Sequence, residues 1–216
     1  MRESCTHAKI GAPPGEAFKT LRHALNHPVL CRALIITLLY TAAFAAAEST
    51  FGLWAQHRYG WGPRKLSICL ASVAITAAVA QGFVTGRITR RWGEALTLAG
   101  GLALISATLA FQPLGQGMIR TIVLLALTVF GQALALPNIS ALISRTAPPD
   151  RQGAVLGLNM SLGALARAIG PIAGGALFSI VGADAPLYAA ALLVAPTVLL
   201  AWQAEGAARR RVSKFQ

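Results

Sequence analysis

Apolar residues along the chain gather into six long runs, separated by short links rich in glycine, proline and charge. The runs cover residues 30–55, 66–86, 95–114, 121–144, 153–181 and 185–204. A helix crosses the hydrocarbon of a bilayer with about 20 mostly apolar residues, and every run is long enough to do so. The links at 57–65, 87–94, 115–120, 145–152 and 182–184 leave no room for a soluble domain between spans. The pattern therefore predicts an all-α membrane protein, a six-transmembrane-helix bundle over 30–205. A polar segment, 1–29, precedes it and a basic tail, 206–216, follows. The polar segment lacks the apolar stretch of a signal peptide and reads as a cytoplasmic tail with a short surface helix over 16–26.

Polar residues inside the runs are few, and they share faces. At 100° per residue, Asn159, Gly163, Arg167, Gly170 and Gly174 of the fifth run fall within roughly a quarter-turn of one another. A charge in hydrocarbon costs at least ~2.5–3.5 kcal/mol, so Arg167 is expected against protein or a watery cavity. Glycines on the same face let another helix come close. On the first run Thr37, Thr41 and Glu48 lie within about 40° of one another. On the second, Ala74, Ala77, Ala78, Gln81 and Thr85 make a small, polar face, and Gly82 with Gly86 forms a GxxxG pair. The fourth carries Gln132 and Asn138 on different faces. Its Pro137 removes a backbone hydrogen bond and should kink the helix. Inward polar groups on several helices predict a water-accessible path whose candidate lining is Thr41, Glu48, Gln81, Gln132, Asn138, Asn159 and Arg167.

Composition sharpens this picture. The 216 residues are 55% hydrophobic and 12% charged, against about 25% charged in soluble domains. The net charge of +12 would suit a nucleic-acid binder, but the basic residues sit between the apolar runs, as loop charges of a membrane protein do. The expected surroundings are thus a lipid bilayer, with no nucleic acid. Lysines and arginines concentrate on the cytoplasmic side of membrane proteins. With the N-terminus inside, the inside segments hold Arg2, Lys9, Lys19, Arg22, Arg32, Arg87, Arg90, Arg91, Arg145, Arg151, Arg209, Arg210, Arg211 and Lys214. The outside loops hold Arg58, Arg64, Lys65 and Arg120. Both termini are expected in the cytoplasm, and Trp54, Tyr59, Trp61 and Trp202 in the interfacial aromatic belts, with His57 in a loop. Cys5, Cys31 and Cys69 are scattered and suggest neither a disulfide framework nor a metal site. No GxSxG, HExxH, phosphate loop or pair of membrane carboxylates is present, so no enzyme chemistry and no cofactor are expected.

Four stretches, taken in order, resemble the C-terminal half of a major facilitator superfamily transporter, most of all the drug:proton antiporters around the bacterial tetracycline efflux proteins. They are 48–61 (ESTFGLWAQHRYGW), 80–94 (AQGFVTGRITRRWGE), 137–153 (PNISALISRTAPPDRQG) and 161–175 (SLGALARAIGPIAGG). The family's loop signature places Asp between two glycines, with basic residues around the second. Here it reads Gly86, Arg90, Arg91, Gly93 and Glu94. Arginine stands at the Asp position, so the acidic partner that orders this gating loop is expected to be missing. The resemblance implies half of a twelve-helix fold, with the substrate path between two halves. It also implies exchange of a small-molecule substrate for protons, without ATP or metal, in a bacterial inner membrane.

The length leaves three readings open. The preferred one is a truncated product, the C-terminal half of a longer transporter whose N-terminal half is missing. A second copy could instead complete a homodimeric half-transporter, or the chain could be a non-transporting remnant that packs with other membrane proteins. Two residues also keep two readings each. Arg167 lines the path or bonds to neighbouring helix carbonyls. Glu48 carries a proton, its pKa raised by burial, or is a solvated carboxylate about 27 Å along its helix from Leu30. The topology is testable. A reporter active only outside should be silent when fused after Gln216 and active when fused near Gly60; the reverse result overturns the orientation.

Overall fold

The structure, a computed structural model, describes residues 24, 26–149 and 151–212, with side chains as far as Gln203. Apart from Ala24 and Asn26, the surface helix expected over 16–26 lies outside them. So do Arg2, Lys9, Lys19, Arg22 and Lys214, and nothing is described of the side chains of Arg209, Arg210 and Arg211. Helix α1 is Pro28–Tyr59, and α2 is Pro63–Val79. A π-helical turn, Ala80–Val84, joins α2 to α3, Thr85–Trp92. Helix α4, Glu94–Phe111, ends in the 3₁₀ turn Gln112–Leu114. Helices α5, α6 and α7 are Met118–Thr146, Gln152–Ile180 and Ala185–Val212. With α2 and α3 counted as one span, six helical segments are long and apolar enough to cross a membrane. The described residues contain no strand.

The ends follow from local chemistry. Pro28 and Pro63 open α1 and α2, where a missing N–H costs nothing. Gly60, at φ 62°, closes α1, its N–H donating to the Gln56 carbonyl at 2.9 Å. Gly93, at φ 84°, separates α3 from α4. The helices outrun the apolar runs because charge stops hydrocarbon solvation, not helix formation. Thus α1 continues through Gln56, His57 and Arg58, and α7 continues to Val212, past the tail boundary expected at 206.

Helix α1 packs against α6 on one side and α7 on the other; α4 packs against α7 and α5, and α2 against α5. Across the bundle the order is therefore α6, α1, α7, α4, α5, α2. The most apolar stretch of α1 is 61% buried, whereas those of the end spans, α2–α3 and α6, are each 17% buried. Leu30, Ile36, Leu98, Leu102, Ile105, Ile143, Leu187 and Val194 are fully buried between the inner helices.

Glycine sets two of these contacts. A Cβ on Gly170 would stand 2.7 Å from the Ala42 carbonyl oxygen, and one on Gly174 2.8 Å from that of Ala46. Between α4 and α5, a Cβ on Gly101 would lie 2.6 Å from the Gly131 oxygen, and one on Gly131 2.7 Å from the Gly101 oxygen. Backbone thus meets backbone in both places, as small residues allow in membranes.

Pro137 leaves the Ala133 carbonyl without its usual donor, four residues on. The Thr85 hydroxyl of the neighbouring span lies 3.2 Å from it and shares its one proton between this carbonyl and that of Ala80, 2.9 Å away. The π turn makes this possible and corrects the expected face of the second run. A π turn carries an extra residue, so positions four apart across it no longer align. Thr85 is buried against α5 while Gln81 is exposed. Gly82 and Gly86 have no atom within 4 Å of the Cβ each could carry, so no helix of this chain seats on that GxxxG.

The aromatic belt is also corrected. Trp54 is fully buried, its Nε1 donating to Asp184 at 2.6 Å, and Trp61 is buried beside Tyr59 with ring centroids 5.0 Å apart. Asp184 further pairs with Arg58 at 3.4 Å, and Tyr59 donates to the Gly115 carbonyl at 2.7 Å. An acceptor in the α6–α7 connection thus holds Trp54 inward, and Tyr59 is held by the α4–α5 link instead; of the four expected belt residues, only Trp202 is exposed. His57 sits in the last turn of α1, edge-on to Phe178.

Gly170→Ala should lower thermal stability in detergent by about 1–3 kcal/mol, because the added methyl must push α6 off α1. Gly175→Ala, with open space at its Cβ, should not. Equal stability of the two variants would mean that the α1–α6 contact is not close-packed.

Candidate functional site

Helices α1 and α5 touch only over a short stretch, and a polar cleft of about 300 Å³ lies between them. Helix α1 contributes Tyr40, Thr41, Phe44, Ala45 and Glu48; α5 contributes Val129, Gln132 and Leu136; Val73 and Arg167 come from α2 and α6. The spacing explains the α1 wall. Tyr40, Phe44 and Glu48 recur every fourth residue and so lie on one stripe. Arg167 reaches the cleft because Gly170, one turn along, holds α6 against α1. Glu48 and Arg167 are exposed in the isolated chain, Gln132 is half-buried and Thr41 is buried. The Tyr40 hydroxyl sits beside Gln132, in the buried wall, without closing a hydrogen bond to a protein group.

Of the seven candidates, the cleft unites Thr41, Glu48, Gln132 and Arg167. Asn159 lies on the same contact but is engaged otherwise: its Oδ1 accepts from the Thr37 hydroxyl at 2.7 Å, bonding α6 to α1. Asn138 is buried in the opposite direction, donating to Thr89 at 3.1 Å and to the Leu134 carbonyl at 2.6 Å. Gln81 is exposed on the π turn and does not line the cleft. Tyr40 was not among the candidates, although its place four residues before Phe44 on the Glu48 stripe carried the signal.

A second, apolar cavity adjoins the first. Phe44, Glu48, Val73 and Val129 belong to both, and Phe51, Leu70, Leu109 and Leu125 complete the apolar walls. Glu48 thus stands at the edge between polar and apolar space. A ligand spanning both would offer an apolar body on one side and hydrogen-bonding groups on the other.

At the far end of α3 the loop signature holds its shape. Gly93 adopts the positive φ that favours glycine, and the Arg90 Nε donates to the Gly86 carbonyl at 3.1 Å. Arginine stands at the Asp position of the signature, and the nearby acid, Glu94, pairs with Arg145 of α5 at 3.0 Å. Arg91 and Gly93 keep the positions of the signature.

The model of the Major Facilitator Superfamily matches residues 33–215. The chain belongs to the major facilitator superfamily. Six apolar spans and this membership make it a multi-pass membrane protein. Multidrug resistance protein 1 of Bacillus subtilis is 31% identical over 180 residues, covering 82% of this chain and 46% of that protein. The class B tetracycline resistance protein of Escherichia coli is 30% identical over 142 residues, 64% of this chain and 35% of the relative. The crystal structure of the human organic anion transporter MFSD10 (TETRAN) superposes with a TM-score of 0.73 at 24% identity, over 89% of this chain and 43% of that one. The chain thus spans less than half the length of each of these major facilitator proteins.

The cleft can be tested for water. On a background with Cys5, Cys31 and Cys69 replaced by serine, Gln132→Cys should react with a small charged thiol reagent. Ile172→Cys, on the exposed apolar face of α6, should react far more slowly. Equal rates would mean that the cleft holds lipid.

Proposed function

We propose that this chain forms one wall of the substrate path in a secondary drug-efflux transporter of the major facilitator superfamily, driven by proton antiport in a bacterial inner membrane. Cytoplasmic termini belong to the same reading. Its carrying observation is the polar cleft, in which Glu48, Gln132 and Arg167 face the open side between the two least covered spans. Drug-resistance relatives support small-molecule export as the function. A carrier must expose a closed site to each side in turn, and a single six-helix body supplies one wall of that site. The missing wall is a second six-helix body: an N-terminal half, or a second copy of this chain.

Glu48 is the proton carrier in this reading. It is the acid that lines the cleft, at the edge between polar and apolar space. Arg167 holds an electronegative group of the substrate, or Glu48 itself, in alternate states. Thr41 and Gln132 supply neutral hydrogen bonds, with Asn159, Asn138 and Gln81 outside the cleft. Gly86, Arg90, Arg91 and Gly93 serve the gating loop rather than the path.

The measurement is accumulation of a fluorescent cationic drug in cells, with and without a protonophore. The chain alone should not lower accumulation. Co-expressed with the N-terminal half of a close relative, it should, and the protonophore, Glu48→Gln and Arg167→Leu should each abolish the effect. Protonophore-sensitive efflux by the chain alone would favour the homodimer. Efflux that survives Glu48→Gln would remove Glu48 as the proton carrier.

A further inference from the structure

The end of the bundle that carries the α3–α4 loop holds a separate cavity of about 400 Å³. Its walls are Thr85, Gly86, Thr89 and Arg90 of α3, Glu94 at the start of α4, and Pro137, Asn138 and Ala141 of α5. We propose that it binds the phosphodiester headgroup of an anionic phospholipid.

Three features carry the assignment. The first is the free fork of Arg90. Its Nε is anchored to the Gly86 carbonyl at 3.1 Å, and its two terminal nitrogens bond to no protein group among the described residues. A guanidinium so held presents a paired donor edge that matches two phosphate oxygens. The second is the state of the polar neighbours. Glu94 is neutralised by Arg145 at 3.0 Å, so it does not repel an anion at full strength. Thr89 accepts from Asn138 at 3.1 Å, which leaves its hydroxyl proton to donate into the cavity. Gly86 presents no side chain, and open space lies where its Cβ would be.

The third is charge and setting. Arg32, Arg87, Arg90, Arg91, Arg145 and Arg151 gather at this end against Glu94 among the described residues, and Asp150 adds one acid by sequence. That excess selects a net anionic lipid over a zwitterionic one. Further along the same span Phe83 and Val79 are exposed in this chain, 65% and 50% accessible, and offer an acyl chain an apolar surface wherever the second body of the proposed transporter leaves them uncovered. Trp92, also exposed, marks the interfacial level beside Arg91. A soluble phosphate would have no use for that apolar wall.

The test is native mass spectrometry of the full chain in detergent, titrated with phosphatidylglycerol, phosphatidylcholine or inorganic phosphate. The chain should retain phosphatidylglycerol in preference to phosphatidylcholine. Arg90→Gln should weaken retention about fivefold, the effect of one headgroup-facing charge. Arg90→Lys, which keeps the charge and loses the fork, should weaken it less, and this variant carries the test if Arg90→Gln does not fold. Arg64→Gln, at the opposite end, should leave retention unchanged. Inorganic phosphate at millimolar levels should not displace the lipid. Unchanged retention in both Arg90 variants, equal retention of phosphatidylcholine, or displacement by inorganic phosphate would each overturn the proposal.

Discussion

The seam between α1 and α6 is the contact on which the polar interior depends. In a bilayer, lipid is as apolar as leucine, so helices gain little by hiding apolar side chains from it; close packing and interhelical hydrogen bonds must hold them. Gly170 and Gly174 allow that packing by placing α6 backbone directly on Ala42 and Ala46. The bond from Thr37 to Asn159 locks the same seam one stretch further along. Once α6 is registered in this way, Arg167 has its direction. It lies three residues before Gly170 and is delivered to the edge of Tyr40 and Thr41. A single methyl at position 170 would therefore disturb a charge that it never touches.

The opposite seam solves a different problem by similar means. Membrane helices must satisfy every backbone group internally, and Pro137 denies the Ala133 carbonyl its partner. The remedy comes from another span, through the Thr85 hydroxyl, and it works only because a π turn rotates Thr85 into α5. Asn138 closes the next carbonyl, that of Leu134, and reaches Thr89 with the same amide. Pro137 in α5 and the π turn between α2 and α3 thus belong to one contact. The π turn supplies the donor that Pro137 withholds, and Asn138 ties the two spans together beside it.

Much of this was legible in the chain before any coordinates. Helix number, approximate bounds and the shared face of Gly163, Arg167, Gly170 and Gly174 follow from apolar run length and a 100° step. What was hidden depends on departures from that step or on partners distant in sequence. Gln81 and Thr85 were placed together because a regular helix was assumed, and the π turn separates them. Trp54 looked like a belt residue until Asp184, 130 positions away, proved to be its acceptor. Arg90 stands at the acid's position in the loop signature, and only the fold shows that Glu94 pairs with Arg145, 51 positions away. Tyr40 escaped notice for a simpler reason: a tyrosine in an apolar run reads as core, and it is almost wholly buried.

The cleft carries its own argument about what it requires. Glu48 and Arg167 line one polar cleft, and neither is fully covered by this chain. Left against lipid, each charge would cost several kcal/mol or draw water into the membrane. In the proposed reading a second body seals the cleft, and the two charges then lie in one closed space where each offsets the other. In the proposed reading that is also what permits transport. The polar wall is too costly to leave open and too polar to close without a ligand, a proton or water inside. The same residues that make the lone chain a poor resident of the bilayer make the paired one able to rock between two closed forms.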